Sequence, residues 1–373
     1  MQASISQRVS ITWPPSSRPV SARRQVPVRA YLSSKKGEVA PPTIQAANQL
    51  ESLRHMSKVV ADTGEIKAIK EYMPVDCTTN PSLVLKAMQD PEYVRFLDDA
   101  VYQERRRGNP EGIRPYSFIA DQLAVNIGTE LLSIVPGRVS TEVDAHLSHD
   151  TLATVDKALH LVDLYVQRGI DPDRLYIKIA STWEGIRACE VLQQEGIDCN
   201  MTLLFSFAQA AACADAGAAL ISPFVGRILD WHKKANPDVV YTAENDPGVE
   251  SVKRIYKYYK AYNYNTIVMA ASFRNADEIR ALAGCDNITI APPLLKELEA
   301  SKAPLPYQLW PTMGGCEDEH HRMDFHGLEL FDKLHGEDLM AVEKLKEGID
   351  NFAADQLKLE EMIGAALKKA NGA

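Results

Sequence analysis

The 373-residue sequence lacks the features that mark several large classes of protein. It contains no run of about 18 apolar residues, which argues against a membrane-spanning helix. Its six cysteines never form a Cys-x-x-Cys pair, so neither a disulfide framework nor a cysteine-based zinc site is indicated. Its formal net charge is −9, whereas a nucleic-acid-binding protein needs a clustered basic surface. An ordinary globular protein remains, and a small phosphorylated ligand is compatible with this charge.

Asp and Glu are absent from residues 1–37, which instead carry Arg and Lys among many Ser, Val and Pro residues. This composition is typical of an organelle transit peptide, with a disordered basic tail as the alternative. The segment is rich in Ser and Pro, and its tripeptide Val28–Ala30 resembles a plastid processing site. Both features favour the chloroplast stroma over the mitochondrion or cytosol. We therefore expect residues 1–37 to be disordered or removed.

From about residue 58 onward, short β-branched runs alternate with longer segments of helical periodicity, as in parallel βα units. The eight runs are Lys58–Thr63, Asp76–Ser82, Val139–Ala145, Leu175–Ser181, Cys199–Ser206, Ala219–Val225, Thr266–Ser272 and Asn287–Pro292. Eight parallel strands can close into a barrel, so the sequence predicts an α/β fold with a single (β/α)₈ TIM barrel. A doubly wound open sheet is the alternative, but the turn at Ala61–Gly64 lacks a Gly-x-Gly-x-x-Gly sequence.

The rest of the chain is predicted to extend this barrel at both ends. The expected parts are the transit peptide (1–37), a helical lead-in (38–56), the barrel (57–300), an irregular linker (301–336) and an additional C-terminal helix packing over the barrel (337–373). The linker contains a Cys/His cluster, namely Cys316, His320, His321 and His326. Its spacing matches no common zinc-ligand pattern, so no metal site is predicted.

Polar residues within the predicted strands indicate a functional site, because the interior of such a barrel is normally filled by Val, Ile and Leu. In Leu175–Ser181, strand alternation points Lys178 into the barrel. A buried lysine must be paired or functional, and burial favours the neutral amine that attacks a carbonyl. A lysine at the rim that serves only as an ion-pair partner is the alternative. In Val139–Ala145, alternation places Glu142 and Asp144 on one face.

Further polar side chains lie toward the C-terminal ends of other predicted strands, where TIM-barrel enzymes place their active sites. They are Asp62, Thr78, Asn80 and Thr202. Two more segments each supply a hydroxyl and an arginine, namely Ser222 with Arg227 and Ser272 with Arg274. Arginine suits phosphate because its planar guanidinium donates bidentate hydrogen bonds and keeps its charge. The set indicates an enzyme that acts on a phosphorylated substrate.

Six segments resemble sequences of the transaldolase family and occur in the family's order. They are Val59–Gly64, Thr78–Ser82, Ser140–Asp144, Ile177–Ile186, Asn200–Ser206 and Ile221–Asp230. The resemblance runs from about Ser57 to Leu298 and resumes in the final helix, whereas Lys302–Gly336 departs from it. It implies a transferase of the pentose phosphate pathway that moves a dihydroxyacetone unit. The donor would be sedoheptulose 7-phosphate or fructose 6-phosphate, and the acceptor glyceraldehyde 3-phosphate or erythrose 4-phosphate.

The same resemblance implies roles for individual residues. Lys178 would be the Schiff-base nucleophile, with Asp62 and Glu142 as acid–base groups. Thr202 would help to hold a water beside Glu142, and Asn80 would contact the covalently bound donor. The phosphate contacts would be Ser222, Arg227, Ser272 and Arg274, and Thr78 and Phe224 would also lie beside the substrate. No cofactor or metal is expected, because a protonated imine already serves as the electron sink. No nucleic-acid or membrane partner is expected, and a homodimer is left open.

Two other functions are compatible with parts of this pattern. A lyase resembling fructose-6-phosphate aldolase would share the barrel and the lysine, but it would release free dihydroxyacetone without an acceptor. A non-catalytic sugar-phosphate sensor would be expected to lack the lysine or a carboxylate. Since Lys178, Asp62 and Glu142 are all present, an enzyme is the favoured interpretation.

Overall fold

Eight parallel strands form a closed barrel in which each strand pairs with its neighbours in chain order and the last pairs with the first. The structure, a computed structural model, describes residues 40–105, 114, 116–313, 322–325 and 327–371. The strands are β1 (Lys58–Asp62), β2 (Asp76–Thr78), β3 (Val139–Glu142), β4 (Leu175–Ala180), β5 (Cys199–Leu204), β6 (Leu220–Pro223), β7 (Ile267–Ala270) and β8 (Asn287–Ile290). The predicted (β/α)₈ barrel is therefore confirmed. The open-sheet alternative was wrong.

Helices surround the barrel and continue beyond it. They are α1 (Gln49–Met56), α2 (Ile66–Tyr72), α3 (Pro81–Ala87), α4 (Val94–Arg105), α5 (Ser117–Ile134), α6 (Thr151–Val166), α7 (Trp183–Gln194), α8 (Phe207–Asp215), α9 (Val225–Ala235), α10 (Pro247–Ala261), α11 (Ala276–Arg280), α12 (Pro292–Ala300), α13 (Leu328–Gly336) and α14 (Leu339–Asn371). Within the described ranges, none of these helices combines the length and the apolar character that crossing a bilayer requires.

Two predicted elements differ from the structure, namely the irregular linker and the end of β3. Residues 328–336, predicted to be irregular, form α13, whose Phe331 is buried against Trp183 with ring centroids 5.5 Å apart. Asp144 does not extend β3 as predicted, because the strand ends at Glu142. Instead, Asp144 accepts a hydrogen bond from the backbone N–H of His146 and so caps a short 3₁₀ turn. The predicted transit peptide and the Cys/His cluster lie outside the described residues.

On three strands the barrel interior changes from apolar to polar over two residues. Toward the amino-terminal ends, the interior holds an apolar cluster of Val60, Tyr176, Leu220 and Met269. Two residues further along the first three of these strands are Asp62, Lys178 and Ser222. Because side chains alternate along a strand, these polar groups point inward as well, and they line one cavity. This change places the polar site at the carboxyl ends of the strands.

Helix α14 packs across the carboxyl ends of the strands. Its apolar side chains form one buried cluster with residues at or beyond the carboxyl ends of β3 to β7. The cluster comprises Ala145, Ala180, Leu203, Phe205, Phe224, Ile228, Ala271, Met340, Ala341, Leu345, Ile349 and Phe352. The approach to β5 is close at Gly348, where an added Cβ would lie 2.6 Å from Leu203 Cδ2. Leu203 is fully buried, and its φ of 52° is unusual for a residue with a side chain.

The first prediction concerns this close approach. Gly348→Ala should lower the free energy of unfolding by about 1–3 kcal/mol, because the new methyl group overpacks the contact between α14 and Leu203. Gly336→Ala is the matched control, since that helical glycine has no neighbouring atom within 4 Å of an added Cβ. The control should be neutral or stabilising by up to about 1 kcal/mol. Urea denaturation of both variants measures the difference, and equal effects would contradict the described packing.

Candidate active site

Lys178 lies inside the barrel in an ion pair with Glu142. The lysine is 4% exposed, and its Nζ lies 3.1 Å from Glu142 Oε2. It also donates a hydrogen bond to the carbonyl oxygen of Thr79, at 3.3 Å. The two ionic residues face each other because the parallel register pairs Glu142 on β3 with Lys178 on β4. The structure therefore does not have the alternative arrangement, in which the lysine lies at the rim of the barrel.

Two carboxyl groups lie near the lysine in surroundings that favour their protonated forms. Burial is the largest influence on Asp62 and raises its pKa, although Lys178 and Arg227 act in the opposite direction. Burial also raises the pKa of Glu142, against the opposing charge of Lys178. A carboxyl group with a raised pKa keeps its proton more readily and can therefore donate it, which general acid catalysis requires.

The cavity beside Lys178 brings together most of the predicted site residues. It has a volume of about 50 Å³, and its lining comprises Asp62, Thr78, Asn80, Lys178, Ser222, Phe224, Arg227, Met269, Ala271, Ser272, Thr289 and Phe352. Of the other predicted residues, Glu142 pairs with Lys178 and lines a second cavity together with Asn80, and Thr202 is fully buried in β5. Arg274 does not line the cavity.

Asn80 is held at the cavity wall by helix α3. Its side-chain oxygen accepts a hydrogen bond of 2.8 Å from the backbone N–H of Leu83, which caps the helix, and Pro81 follows in the first turn. The capping bond fixes the side chain and leaves the Nδ2 amide to donate to a ligand. Asn80 thus serves the fold and the site at once.

Ser222 takes part in a hydrogen-bonded chain across the barrel interior. Its Oγ donates to Asn200 Oδ1 at 2.6 Å, and Asn200 Nδ2 lies 3.1 Å from Ser140 Oγ. The hydroxyl hydrogen of Ser222 is therefore committed, and the residue can offer a ligand only an acceptor. An acceptor suits a substrate hydroxyl better than a phosphate, for which Ser222 was predicted. Asn200 was not predicted, although its inward position two residues before Thr202 could have indicated it.

Arg227 lies between two aromatic rings near the start of α9. Its guanidinium carbon is 4.9 Å from the ring centroid of Phe224 and 5.4 Å from that of Phe352. Burial lowers its pKa, and the positive charge of Arg274 adds to this effect. The preceding Gly226 permits a close approach to the neighbouring loop, because an added Cβ would lie 2.5 Å from the carbonyl oxygen of Ser272. The first turn of α9 thus lies against the loop that carries Ser272.

Arg274 is engaged outside the cavity by Asp230. Its Nη2 lies 2.7 Å and its Nε 3.0 Å from Asp230 Oδ2. Both side chains are substantially exposed, at 39% and 43%. Exposed pairs of this kind are worth only about 0.2–1 kcal/mol, so a phosphate can compete with the carboxylate for the arginine. Asp230 was not identified from the sequence.

The described residues contain no group of three or more His, Cys, Asp or Glu side chains arranged to hold a metal ion. The described cysteines are buried and free; they are Cys77, Cys189, Cys199, Cys213 and Cys285. Buried free cysteine commonly acts as a small apolar residue. Cys316 and the histidines of the linker cluster lie outside the described residues.

A barrel with a buried lysine, neighbouring carboxyl groups and an adjacent arginine is typical of enzymes that form a Schiff base with a carbonyl substrate. Comparison with known proteins is more specific. A family model described as Transaldolase/Fructose-6-phosphate aldolase matches residues 59–363. The chain therefore belongs to the transaldolase/fructose-6-phosphate aldolase family.

Individual relatives match over almost their whole length. A transaldolase of Actinobacillus pleuropneumoniae serotype 7 (strain AP76) is 56% identical over 320 residues, covering 86% of this chain and 100% of the relative. A transaldolase of Haemophilus influenzae (strain PittEE) is 56% identical over 319 residues, covering 86% and 99%. One of Vibrio campbellii (strain ATCC BAA-1116) is 55% identical over 321 residues, covering 86% and 100%.

The second prediction concerns the exposed arginine pair. Asp230→Asn should lower the dissociation constant for inorganic phosphate about two- to fivefold, because Arg274 no longer has a competing carboxylate. Asp277→Asn is the matched control, since Asp277 forms a comparable pair with Arg280 on α11 and does not line the cavity. Titration calorimetry at fixed ionic strength measures both variants. Unchanged or weaker phosphate binding in Asp230→Asn would refute competition by Asp230.

Proposed function

We propose that this chain is a transaldolase in which Lys178 carries the transferred dihydroxyacetone unit as a Schiff base. The donors are ketose phosphates such as fructose 6-phosphate or sedoheptulose 7-phosphate, and the acceptors are aldose phosphates such as erythrose 4-phosphate or glyceraldehyde 3-phosphate. The observation that supports this proposal most directly is the buried ion pair between Lys178 and Glu142. Lys178 and Asp62 line the same cavity. The names of the relatives support the same activity.

The reaction begins with attack of the neutral Lys178 amine on the donor ketone. Glu142, which holds the proton that the Lys178 ammonium gave up, donates this proton to the carbonyl oxygen. It then takes the proton that the attacking nitrogen loses and gives it to the new hydroxyl, so that water leaves and a protonated imine forms. Asp62 then accepts the proton of the C4 hydroxyl as the C3–C4 bond breaks. The aldose phosphate departs, and the bonding electron pair moves into the imine to give an enamine.

The second half of the reaction reverses these steps with a different aldose. The enamine carbon attacks the acceptor aldehyde, a new C3–C4 bond forms, and Asp62 returns its proton to the new hydroxyl. Water, activated by Glu142, then hydrolyses the imine and frees Lys178. The raised pKa of each carboxyl group fits this alternation between acid and base, which one fixed charge state could not perform.

The phosphate of the donor is proposed to bind Arg227, with Arg274 joining after it exchanges Asp230 for the phosphate. The aromatic rings beside Arg227 hold its guanidinium without occupying its in-plane N–H donors. Those donors suit the oxygens of a phosphate. Ser272 lies between the two arginines in sequence and lines the cavity, so its hydroxyl is a further candidate contact.

A lyase of the fructose-6-phosphate aldolase type is the second candidate, because the family description names both activities. The relatives quoted above are named transaldolases, which favours transfer. Free dihydroxyacetone released at the rate of donor consumption, with no dependence on acceptor, would identify the lyase instead.

We also propose that residues 1–37 direct the chain to the plastid stroma. Their lack of acidic residues supports this proposal, as does the fact that alignment with nearly complete bacterial relatives leaves about 15% of this chain unmatched. A fusion of residues 1–37 to a fluorescent protein should enter isolated chloroplasts and be shortened there. Retention outside the organelle would contradict the proposal.

The third prediction tests the Schiff base. Borohydride added with fructose 6-phosphate should attach a three-carbon adduct to Lys178 and inactivate the enzyme, because the reductant converts the imine to a stable amine. Peptide mapping by mass spectrometry locates the adduct, and Lys178→Ala should form none and lose activity. Adduct on a different lysine, or full activity in Lys178→Ala, would exclude the proposed mechanism.

The fourth prediction tests phosphate recognition. Arg227→Ala should lower kcat/KM for fructose 6-phosphate. The loss corresponds to a rise of about 2–4 kcal/mol in transition-state free energy, the range for losing a charged hydrogen-bond partner. Steady-state kinetics with fructose, which lacks the phosphate, supply the control and should change far less. Equal losses for both donors would show that Arg227 acts on the barrel itself and not on the phosphate.

A further inference from the structure

Phe352 is a cavity residue that comes from outside the barrel. It belongs to α14, is 2% exposed and lines the cavity that contains Lys178. Lys178 Nζ lies 5.9 Å from its ring centroid, and the guanidinium carbon of Arg227 lies 5.4 Å from it. One aromatic ring thus contacts both the nucleophile and the predicted phosphate contact.

Polar contacts on the next two turns of α14 fix the helix in this position. Asp355 accepts a hydrogen bond from Ser82, which lies in the first turn of α3 just after Asn80. Glu360 pairs with Arg114, which also contacts Asp144 just beyond the end of β3. The helix is therefore tied to the segments that carry Asn80 and Glu142, so the ring is held in register with the site.

The two sides of Lys178 differ in chemical character. Glu142 forms an ion pair with the amine, and Asp62 lies in the same cavity, so protons can be exchanged there. On the side of α14, Phe352 presents only an apolar ring, and Phe224 packs in the same cluster. An apolar ring neither supplies a proton nor stabilises a water molecule, so the surface that Phe352 presents to Lys178 favours neither.

The bound three-carbon enamine has two fates after the first aldose leaves. Attack on an acceptor aldehyde forms a new carbon–carbon bond and completes transfer. Alternatively, the enamine carbon takes a proton from water, and a second water then adds to the imine carbon. The C–N bond to Lys178 then breaks and free dihydroxyacetone is released. Both steps of the second route require water at the lysine, so water exclusion decides between the two fates.

We propose that Phe352 is a specificity-determining residue that covers the lysine-bound intermediate and directs it to transfer instead of release. This inference rests on the proposed function. Phe352 contacts the reacting lysine but supplies no proton. Its loss should therefore change the fate of the intermediate while the first cleavage continues.

The test measures the ratio of dihydroxyacetone released to dihydroxyacetone transferred, with fructose 6-phosphate as donor and erythrose 4-phosphate as acceptor. Phe352→Leu, Phe352→Val and Phe352→Ala remove progressively more of the ring. The ratio should rise along this series and reach about tenfold above the unmodified enzyme in Phe352→Ala. Phe331→Ala is the matched control, since that phenylalanine is equally buried, on α13, but does not line the cavity.

Thermal melting identifies the variants that remain folded, and the trend is read from those; if Phe352→Ala does not fold, Phe352→Leu and Phe352→Val decide. A flat ratio among the folded variants would overturn the inference, as would an equal rise in Phe331→Ala. Borohydride trapping of the unmodified enzyme distinguishes failure of the proposed role of Phe352 from failure of the proposed function. A trapped adduct on Lys178 with a flat ratio refutes only the role of Phe352. Absence of any adduct on Lys178 refutes the proposed function and the inference with it.

Discussion

The ion pair between Lys178 and Glu142 is the interaction on which the rest of the site depends. Removing two charges from water costs several kcal/mol per ion, and only close pairing with further polar contacts offsets this cost. The parallel register supplies that pairing by placing the residues opposite each other on β3 and β4. A neighbouring carbonyl oxygen, that of Thr79, accepts a further hydrogen bond from the amine. The barrel interior near the carboxyl ends of the strands is polar because it contains this pair.

The remaining elements of the site give this pair its chemistry. Burial raises the pKa of Asp62 and Glu142, so each carboxyl group can alternate between acid and base. The start of α9 adds a cation in Arg227, and α14 adds the ring of Phe352 over both positive groups. The apolar ring over Lys178 isolates this lysine and the group that it carries from water. That isolation allows a reactive carbon intermediate to wait for its acceptor.

Much of this arrangement could be predicted from the sequence, because the alternation of strand residues is a local property. It placed Lys178 and Glu142 inside the barrel, where they form an ion pair. The position of Asp62 at the end of the first strand placed it at the mouth, and in the structure it lines the cavity that contains Lys178. The predicted length of β3 was wrong, because the strand ends at Glu142 and Asp144 caps the turn that follows, although both side chains line one cavity.

Contacts that depend on tertiary packing were not predictable in this way. The periodicity of α14 showed an apolar face, but nothing local specified that Phe352 would meet Lys178. Asp230 lies on a solvent-exposed turn of α9 where acidic residues are common, so its pairing with Arg274 had no local indication.

The most direct test of the covalent mechanism is the crystal structure of the enzyme flash-cooled during turnover with fructose 6-phosphate. We expect continuous electron density from Lys178 Nζ to the central carbon of a three-carbon fragment that lies beneath Phe352. A free lysine amine beside an intact, non-covalently bound sugar phosphate would contradict it.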